Sequence, residues 1–217
     1  MNDWFSIHRV GMGIKVTALM IGVLLYFSNT AWATPVLYSF NTPSGALGNS
    51  QSYTNNGITV TATGYSSTNV QTALFGKNDG GDEVGLGLQN DPTGVNEIPT
   101  NEFIQLNLTN FWAANPTNVQ MSIGSVQSGE SWNIFGSNTA GTLGTLLQGG
   151  TTDFPNAFAL VAGANGFNYI SVQAGAFNVL LSTLSGNVNV PEPATLLILG
   201  SGLAIAAISR KRIRSYN

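Results

Sequence analysis

The sequence contains no cysteine and a single histidine, His8, which lies close to the N-terminus. The absence of cysteine excludes disulfide bonds, thiolate metal sites and cysteine nucleophiles. His8 lies in a segment that we expect to be removed. The remaining chain therefore lacks a histidine metal ligand and the histidine that a Ser-His-Asp or Cys-His pair requires. We therefore expect a protein that is not an enzyme.

Charged residues are also scarce, at 8% of the chain, and the two signs are separated. Lys77 is the only basic residue of the central part, which has eight carboxylates and thus a formal charge of −7. This charge repels a phosphate backbone, so nucleic acid is not an expected partner. The low charge and the abundance of Gly, Asn, Ser and Thr favour an all-β class with many turns.

The N-terminal segment has the three parts of a secretory leader. Arg9 and Lys15 give it a basic start, residues 16–27 are apolar, and Ala31 and Ala33 follow in the sequence Ser-Asn-Thr-Ala-Trp-Ala. Small residues in an A-x-A arrangement are what signal peptidase accepts, so we predict cleavage after Ala33. The alternative is an uncleaved anchor, for which the apolar run is short of the roughly 20 residues that a stable span needs.

The C-terminal segment combines three features in a fixed order. Pro191-Glu192-Pro193 is followed by an uncharged, mostly apolar stretch over residues 194–208 and then by the basic residues Arg210, Lys211, Arg212 and Arg214. Basic residues after an apolar stretch are typical of a stop-transfer segment whose positive end stays in the cytoplasm. As a helix, residues 194–208 would be about 22 Å long, against a hydrocarbon layer of about 30 Å. We therefore expect a transient membrane helix.

This order of features resembles the PEP-CTERM sorting signal. The resemblance implies cleavage near Pro191, Glu192 and Pro193 by an exosortase-type transpeptidase, which would supply all of the catalytic groups. It also implies export, a transient stay in the inner membrane, and a final place on the cell surface or in the extracellular biofilm matrix of a Gram-negative-type bacterium. The alternative is a plain C-terminal anchor that is not processed.

The sequence divides into a signal peptide (1–33), a β-domain (34–189) and a sorting signal (190–217). Short alternating runs predict nine strands, at residues 36–40, 58–65, 102–108, 119–126, 132–137, 144–147, 158–161, 169–174 and 178–184. They predict a single jelly-roll-like antiparallel β-sandwich, flanked by an N-terminal signal helix and a C-terminal transmembrane helix. A barrel, a solenoid and an immunoglobulin-like sandwich are the alternatives. Residues 74–88 also resemble β-sandwich domains of PEP-CTERM proteins.

Six of the eight central carboxylates lie between Asp79 and Glu102, in a Gly-rich segment that we predict to be a loop. Ca²⁺ would relieve their repulsion, with candidate ligands Asp79, Asp82, Glu83, Asp91 and Glu97. The spacing does not match an EF-hand, and the alternative is a solvated acidic loop. A glycosidase acid/base pair is disfavoured, because a flexible loop holds such a pair poorly.

Two functions fit these observations. The first is a non-catalytic surface or matrix protein without a cofactor. The alternative is a carbohydrate-binding module that docks to exopolysaccharide, with calcium as a candidate requirement, an idea that rests on fold analogy. Trp112 is the candidate sugar-stacking residue, although we expect it to be a corner packing residue.

Overall fold

The first strand begins at Trp32, within the last two residues of the predicted leader, and the last strand ends at Val190, where the predicted sorting signal begins. A computed structural model describes residues 32–89 and 94–190 of the chain. Within these residues, eight strands form the first sheet, in the order β13-β10-β15-β7-β6-β2, with β1 and β8 also paired to β15. Their bounds are β1 Trp32–Ser39, β2 Gly45–Gly48, β6 Leu74–Asn78, β7 Val84–Leu88, β8 Ile98–Pro99, β10 Thr117–Gly124, β13 Phe158–Ala159 and β15 Asn178–Val190.

The second sheet has seven strands among the described residues, in the order β12-β11-β14-β9-β4-β3, with β5 also paired to β4. Its strands are β3 Ser50–Asn55, β4 Ile58–Ser67, β5 Val70–Thr72, β9 Phe103–Asn107, β11 Ser131–Ser137, β12 Thr145–Gly150 and β14 Tyr169–Ala176. Its neighbouring strands pair antiparallel. A short helix, α1 Thr109–Ala113, follows β9.

Aromatic side chains join the two sheets. The ring of Phe40, just after β1, meets the ring of Tyr53 on β3 edge-on with a centroid distance of 4.9 Å. The hydroxyl of Tyr38 on β1 donates a hydrogen bond to the carbonyl of Ile58 on β4 at 3.1 Å. Apolar side chains of both sheets, such as Leu86 and Leu106, are fully buried. Residues 34–188 thus form one compact unit with a common core.

The prediction of an all-β body is confirmed, and two antiparallel sheets are consistent with a β-sandwich. Each of the nine predicted strands corresponds to a strand of the structure, with ends that differ by a few residues. The N-terminal signal helix and the C-terminal transmembrane helix lie almost entirely outside the described residues. Within residues 32–89 and 94–190, no helix is long and apolar enough to cross a bilayer.

The prediction of a loop from Asp79 to Glu102 is wrong in part. Residues Val84–Leu88 form β7, which pairs with β6 along five residue pairs. Gly87 permits close packing on this strand, because a Cβ there would lie 2.0 Å from the carbonyl oxygen of Asn96. The glycine allows the segment before β8 to lie close against the strand. In the sequence alone, the glycines of this run had favoured a loop.

The segment around Trp112 forms a short helix. The sugar-stacking alternative would place Trp112 on a loop, whereas in the structure it lies on α1. The Trp112 backbone N–H donates to the Leu108 carbonyl at 2.8 Å, and Phe111 is fully buried. A buried aromatic anchor at a strand end is sufficient to hold this single turn of helix in place.

Candidate functional site: the Lys77 cluster and the C-terminal segment

Lys77 on β6 lies beside two carboxylates that come from different parts of the chain. Its Nζ donates to Oε2 of Glu83 and, at 2.6 Å, to Oε1 of Glu97. The side chains of Lys77, Glu83 and Glu97 are only 11%, 25% and 7% exposed. Long charged side chains are rarely buried unless they are paired, so these three residues stabilise one another in this position.

Two further polar side chains complete the Lys77 cluster, which we define as Lys77, Glu83, Glu97, Ser125 and Gln127. Ser125 follows β10, and its Oγ lies 2.8 Å from Oε1 of Glu83 and 3.0 Å from Oε1 of Glu97. Its backbone N–H donates to the Asp82 carbonyl at 3.0 Å, which fixes the hydroxyl over the turn between β6 and β7. Gln127 donates from Nε2 to Oε1 of Glu83 at 3.2 Å.

The two carboxylates of the cluster have opposite pKa shifts. Burial raises the pKa of Glu97, and the neighbouring Glu83 raises it further. Lys77 acts in the opposite direction, but the net shift of the Glu97 pKa is upward. Burial also acts on Glu83, but hydrogen bonds from Lys77 and Ser125 prevail and lower its pKa. For Lys77, burial opposes the charge, yet its bonds to both glutamates raise its pKa overall. Glu97 is therefore the carboxyl that binds a proton first, and Glu83 is the one that stays ionised.

The structure brings together two of the five predicted calcium ligands. Glu83 and Glu97 meet at Lys77, whereas Asp79 is exposed in the turn after β6 and Asp82 lies near Asp153. Asp91 lies outside the described residues. Among the described residues, no group of three or more histidine, aspartate or glutamate side chains converges as a metal site. Calcium binding stays a prediction.

Asp153 forms a second, smaller polar contact beside the cluster. Its Oδ1 accepts a hydrogen bond from the Val126 backbone N–H at 3.2 Å. Burial raises the pKa of Asp153, and the nearby charge of Asp82 raises it further. The hydrogen bond from Val126 holds the segment after β10 in place, and the carboxylates of Asp153 and Asp82 lie close to each other.

Trp112 is held by contacts within the body. Its indole N–H donates to the Phe167 carbonyl at 2.9 Å, and its ring lies against Phe111 with a centroid distance of 5.1 Å. A paired indole N–H and a ring that packs against Phe111 are the contacts of a corner packing residue.

Sequence reasoning identified neither Lys77 nor Ser125 as a site residue. A signal for Lys77 was present, because it is the only cation among eight carboxylates of the body and must lie near some of them. Ser125 gave no such signal, since one serine among many polar residues does not indicate which carboxylates it contacts.

The last strand runs directly into the predicted sorting signal. β15 pairs with β10 from Gly124↔Leu180 to Thr117↔Asn187, Val188 is fully buried, and the strand ends at Val190. The residues assigned to sorting and stop-transfer, Pro191, Glu192, Pro193, Arg210, Lys211, Arg212 and Arg214, lie outside the described residues, as does Ala31. Ala33 lies on β1, so cleavage after it would leave Val36, which is buried, in place.

A β-sheet body that leads into a Pro-Glu-Pro, apolar and basic segment defines a protein with a C-terminal sorting signal. A family model of the PEP-CTERM protein-sorting motif matches residues 189–212. The chain thus carries this motif, which supports its export and its sorting by an exosortase to the cell surface. No curated protein and no solved structure matches the chain.

Proposed function

We propose that this chain is a non-catalytic protein of the cell surface or extracellular matrix, which signal peptidase and an exosortase process at its two ends. The PEP-CTERM match at residues 189–212 is the observation that carries this proposal. The motif directs an acidic, cysteine-free β-domain to the outside of a Gram-negative-type cell. There the domain contributes to adhesion, coating or the scaffold of a biofilm matrix.

The position of both cuts supports this function. Cleavage after Ala33 removes the first two residues of β1, and cleavage near Pro191 leaves β15 complete. The outermost buried residues of these strands, Val36 and Val188, stay in the mature domain. Processing at these points is therefore compatible with a folded product.

Substitution of the motif tests the proposal. We expect the triple variant P191A/E192A/P193A to stay in the membrane fraction with its tail, while the parent chain is found at the surface in a shorter form. Ser215→Ala, which lies outside the matched residues, is the matched control and should behave like the parent. Equal tail retention in the parent and the triple variant would instead indicate a plain membrane anchor.

Polysaccharide docking is the alternative function, and the jelly-roll type of sandwich on which it rests stays a prediction. Retardation of the protein in native gels that contain exopolysaccharide, with and without calcium, tests this alternative. A pure scaffold protein should migrate equally in all gels. A rise in melting temperature with Ca²⁺ that EDTA reverses would support the calcium site.

A further inference from the structure

The Lys77 cluster places an amine against two carboxyl groups where little water reaches them. Lys77 Nζ lies 2.6 Å from Oε1 of Glu97 and also contacts Oε2 of Glu83. The side chains of Lys77 and Glu97 are 11% and 7% exposed. Reacting groups that a fold holds in contact gain an effective concentration of about 10⁵ M or more, and exclusion of water favours condensation over hydrolysis.

The three charged groups are held by separate elements of the first sheet and its loops. Lys77 belongs to β6, Glu83 immediately precedes β7, and Glu97 immediately precedes β8. Close packing fixes this arrangement, since the backbone of Asn96 and Glu97 lies directly over Gly87. The amine and the carboxyl of Glu97 thus keep their relative position as long as the sheet is formed.

We propose that Lys77 and Glu97 become joined by an intramolecular amide bond. Glu83 first accepts a proton from the Lys77 ammonium group. The neutral amine then attacks Cδ of the Glu97 carboxylic acid, forming the N–C bond. The bond from Cδ to the Glu97 hydroxyl breaks, and the hydroxyl leaves as water with a second proton from the nitrogen. The third hydrogen stays on the amide, Glu83 passes its proton to solvent, and no oxidant or cofactor is required.

The structure assigns different roles to the two glutamates. Glu97 is the more deeply buried and takes up a proton more readily, and only the neutral carboxylic acid is an electrophile. Glu83 contacts Lys77 Nζ directly, and this position makes it the acceptor for the proton of the ammonium group. Ser125 is a positioning residue, since its hydroxyl lies 3.0 Å from Oε1 of Glu97 and can stabilise the oxygen that becomes negative during the attack.

An amide bond from Lys77 to Glu97 would also stabilise the fold. It spans 20 positions along the chain, whereas Glu83 lies only six positions from Lys77. Covalent closure of the longer loop restricts the unfolded chain more strongly. In an exported chain with no cysteine, such a bond provides the covalent brace that disulfides provide elsewhere.

Trypsin offers a direct test, because Lys77 is the only lysine or arginine between Lys15 and Arg210. We expect the purified full chain, once denatured, to resist cleavage after Lys77 and to be lighter than its sequence by one water molecule per chain. The variants Glu97→Ala and Lys77→Arg should each have the full mass of their own sequence, without the loss of water. Trypsin should also cut Glu97→Ala after Lys77. The control Glu130→Gln should resist cleavage as the parent does.

The parent chain alone is sufficient to decide, so the folding of the variants is not critical. Complete cleavage after Lys77 in the denatured parent, together with the full sequence mass, would overturn the proposal. A water loss and a blocked Lys77 that persist in Glu97→Ala would contradict the assignment of Glu97. Slower bond formation in Glu83→Gln, followed as mass against time after synthesis, is expected if Glu83 accepts the proton.

Discussion

At the scale of single residues, Lys77 connects the sequence to the chemistry of this protein. An isolated ammonium group is costly to bury, and the surrounding carboxylates are costly to bury without it. The structure solves both problems by bringing Glu83 and Glu97 to the same nitrogen, with Ser125 between the two carboxylates. Removal of Lys77 therefore leaves both carboxylates without their cation.

Relative to a parent chain without the Lys77–Glu97 amide bond, we expect Lys77→Met to lower the free energy of unfolding by about 3–5 kcal/mol, because it leaves two buried carboxyl groups without their cation. Chemical denaturation at neutral pH measures this change. Glu130→Gln keeps an acceptor for the Gln127 backbone N–H, which Glu130 binds at 2.6 Å, and it removes no contact with Lys77. It should change the stability by less than about 0.5 kcal/mol. Equal stability of the two variants would show that the cluster does not support the fold.

The raised pKa of Asp153 predicts a stability difference that depends on pH. The pKa of Asp153 is higher in the folded state than in the unfolded state. This carboxyl therefore contributes to stability below its unfolded-state pKa, and the contribution is lost as the pH rises through its folded-state pKa. Asp153→Asn should therefore raise the melting temperature relative to the parent at pH 7. This advantage should disappear near about pH 3, where the parent carboxyl is protonated as well.

The measurement is the melting temperature of both chains across this pH range. The substitution Glu130→Gln again serves as control, since this carboxyl is not part of the contact with Asp82. An advantage of Asp153→Asn that stays constant from acid to neutral pH would contradict burial and Asp82 as the cause.

At the scale of elements, alternation along the sequence located the strands that have one apolar face. Residues 103–107 of β9 are a clear example, and all nine predictions of this kind correspond to observed strands. The strands that were missed lack this signal. β3 reads Ser-Gln-Ser-Tyr-Thr-Asn with Tyr53 as its only apolar residue, and β7 alternates with glycine. Their pairing depends on neighbours that are distant in the sequence.

The candidate site was predictable only in part for the same reason. The sequence located the acidic segment, and Glu83 and Glu97 were two of the five candidate calcium ligands in it. Ca²⁺ was the candidate partner, with a solvated acidic loop as the alternative, and the contact that both carboxylates make with Lys77 was not predicted. Which cation a carboxylate contacts depends on the pairing of β6 with β7 and on the fixed position of the residues before β8, and local spacing does not contain this information.

Gly87→Ala tests the close approach of the Asn96 backbone to β7. A Cβ at this position would lie 2.0 Å from the Asn96 carbonyl oxygen, so we expect a loss of at least about 1–3 kcal/mol in unfolding free energy. The matched control is Gly166→Ala, since no atom lies within 4 Å of a Cβ built there. The two variants are compared by chemical denaturation. A loss in Gly87→Ala no larger than in the control would mean that the chain over β7 is not closely packed.

At the scale of the whole molecule, the two predicted cleavage points lie at the ends of paired strands. β1 pairs with β15, and the Phe40 backbone N–H donates to the Ser182 carbonyl at 3.0 Å. The strand after the predicted leader and the strand before the PEP-CTERM motif thus support each other in the same sheet. Cleavage after Ala33 and near Pro191 would keep this pairing. The formal charge of −7 on residues 34–189 favours solubility.

The intact mass of the protein recovered from the cell surface tests the central claim most directly. We predict a chain that begins at Thr34 and lacks everything beyond approximately Pro193. A full-length chain in the cytosol, or a surface chain that retains residues 194–217, would contradict sorting and cleavage by an exosortase.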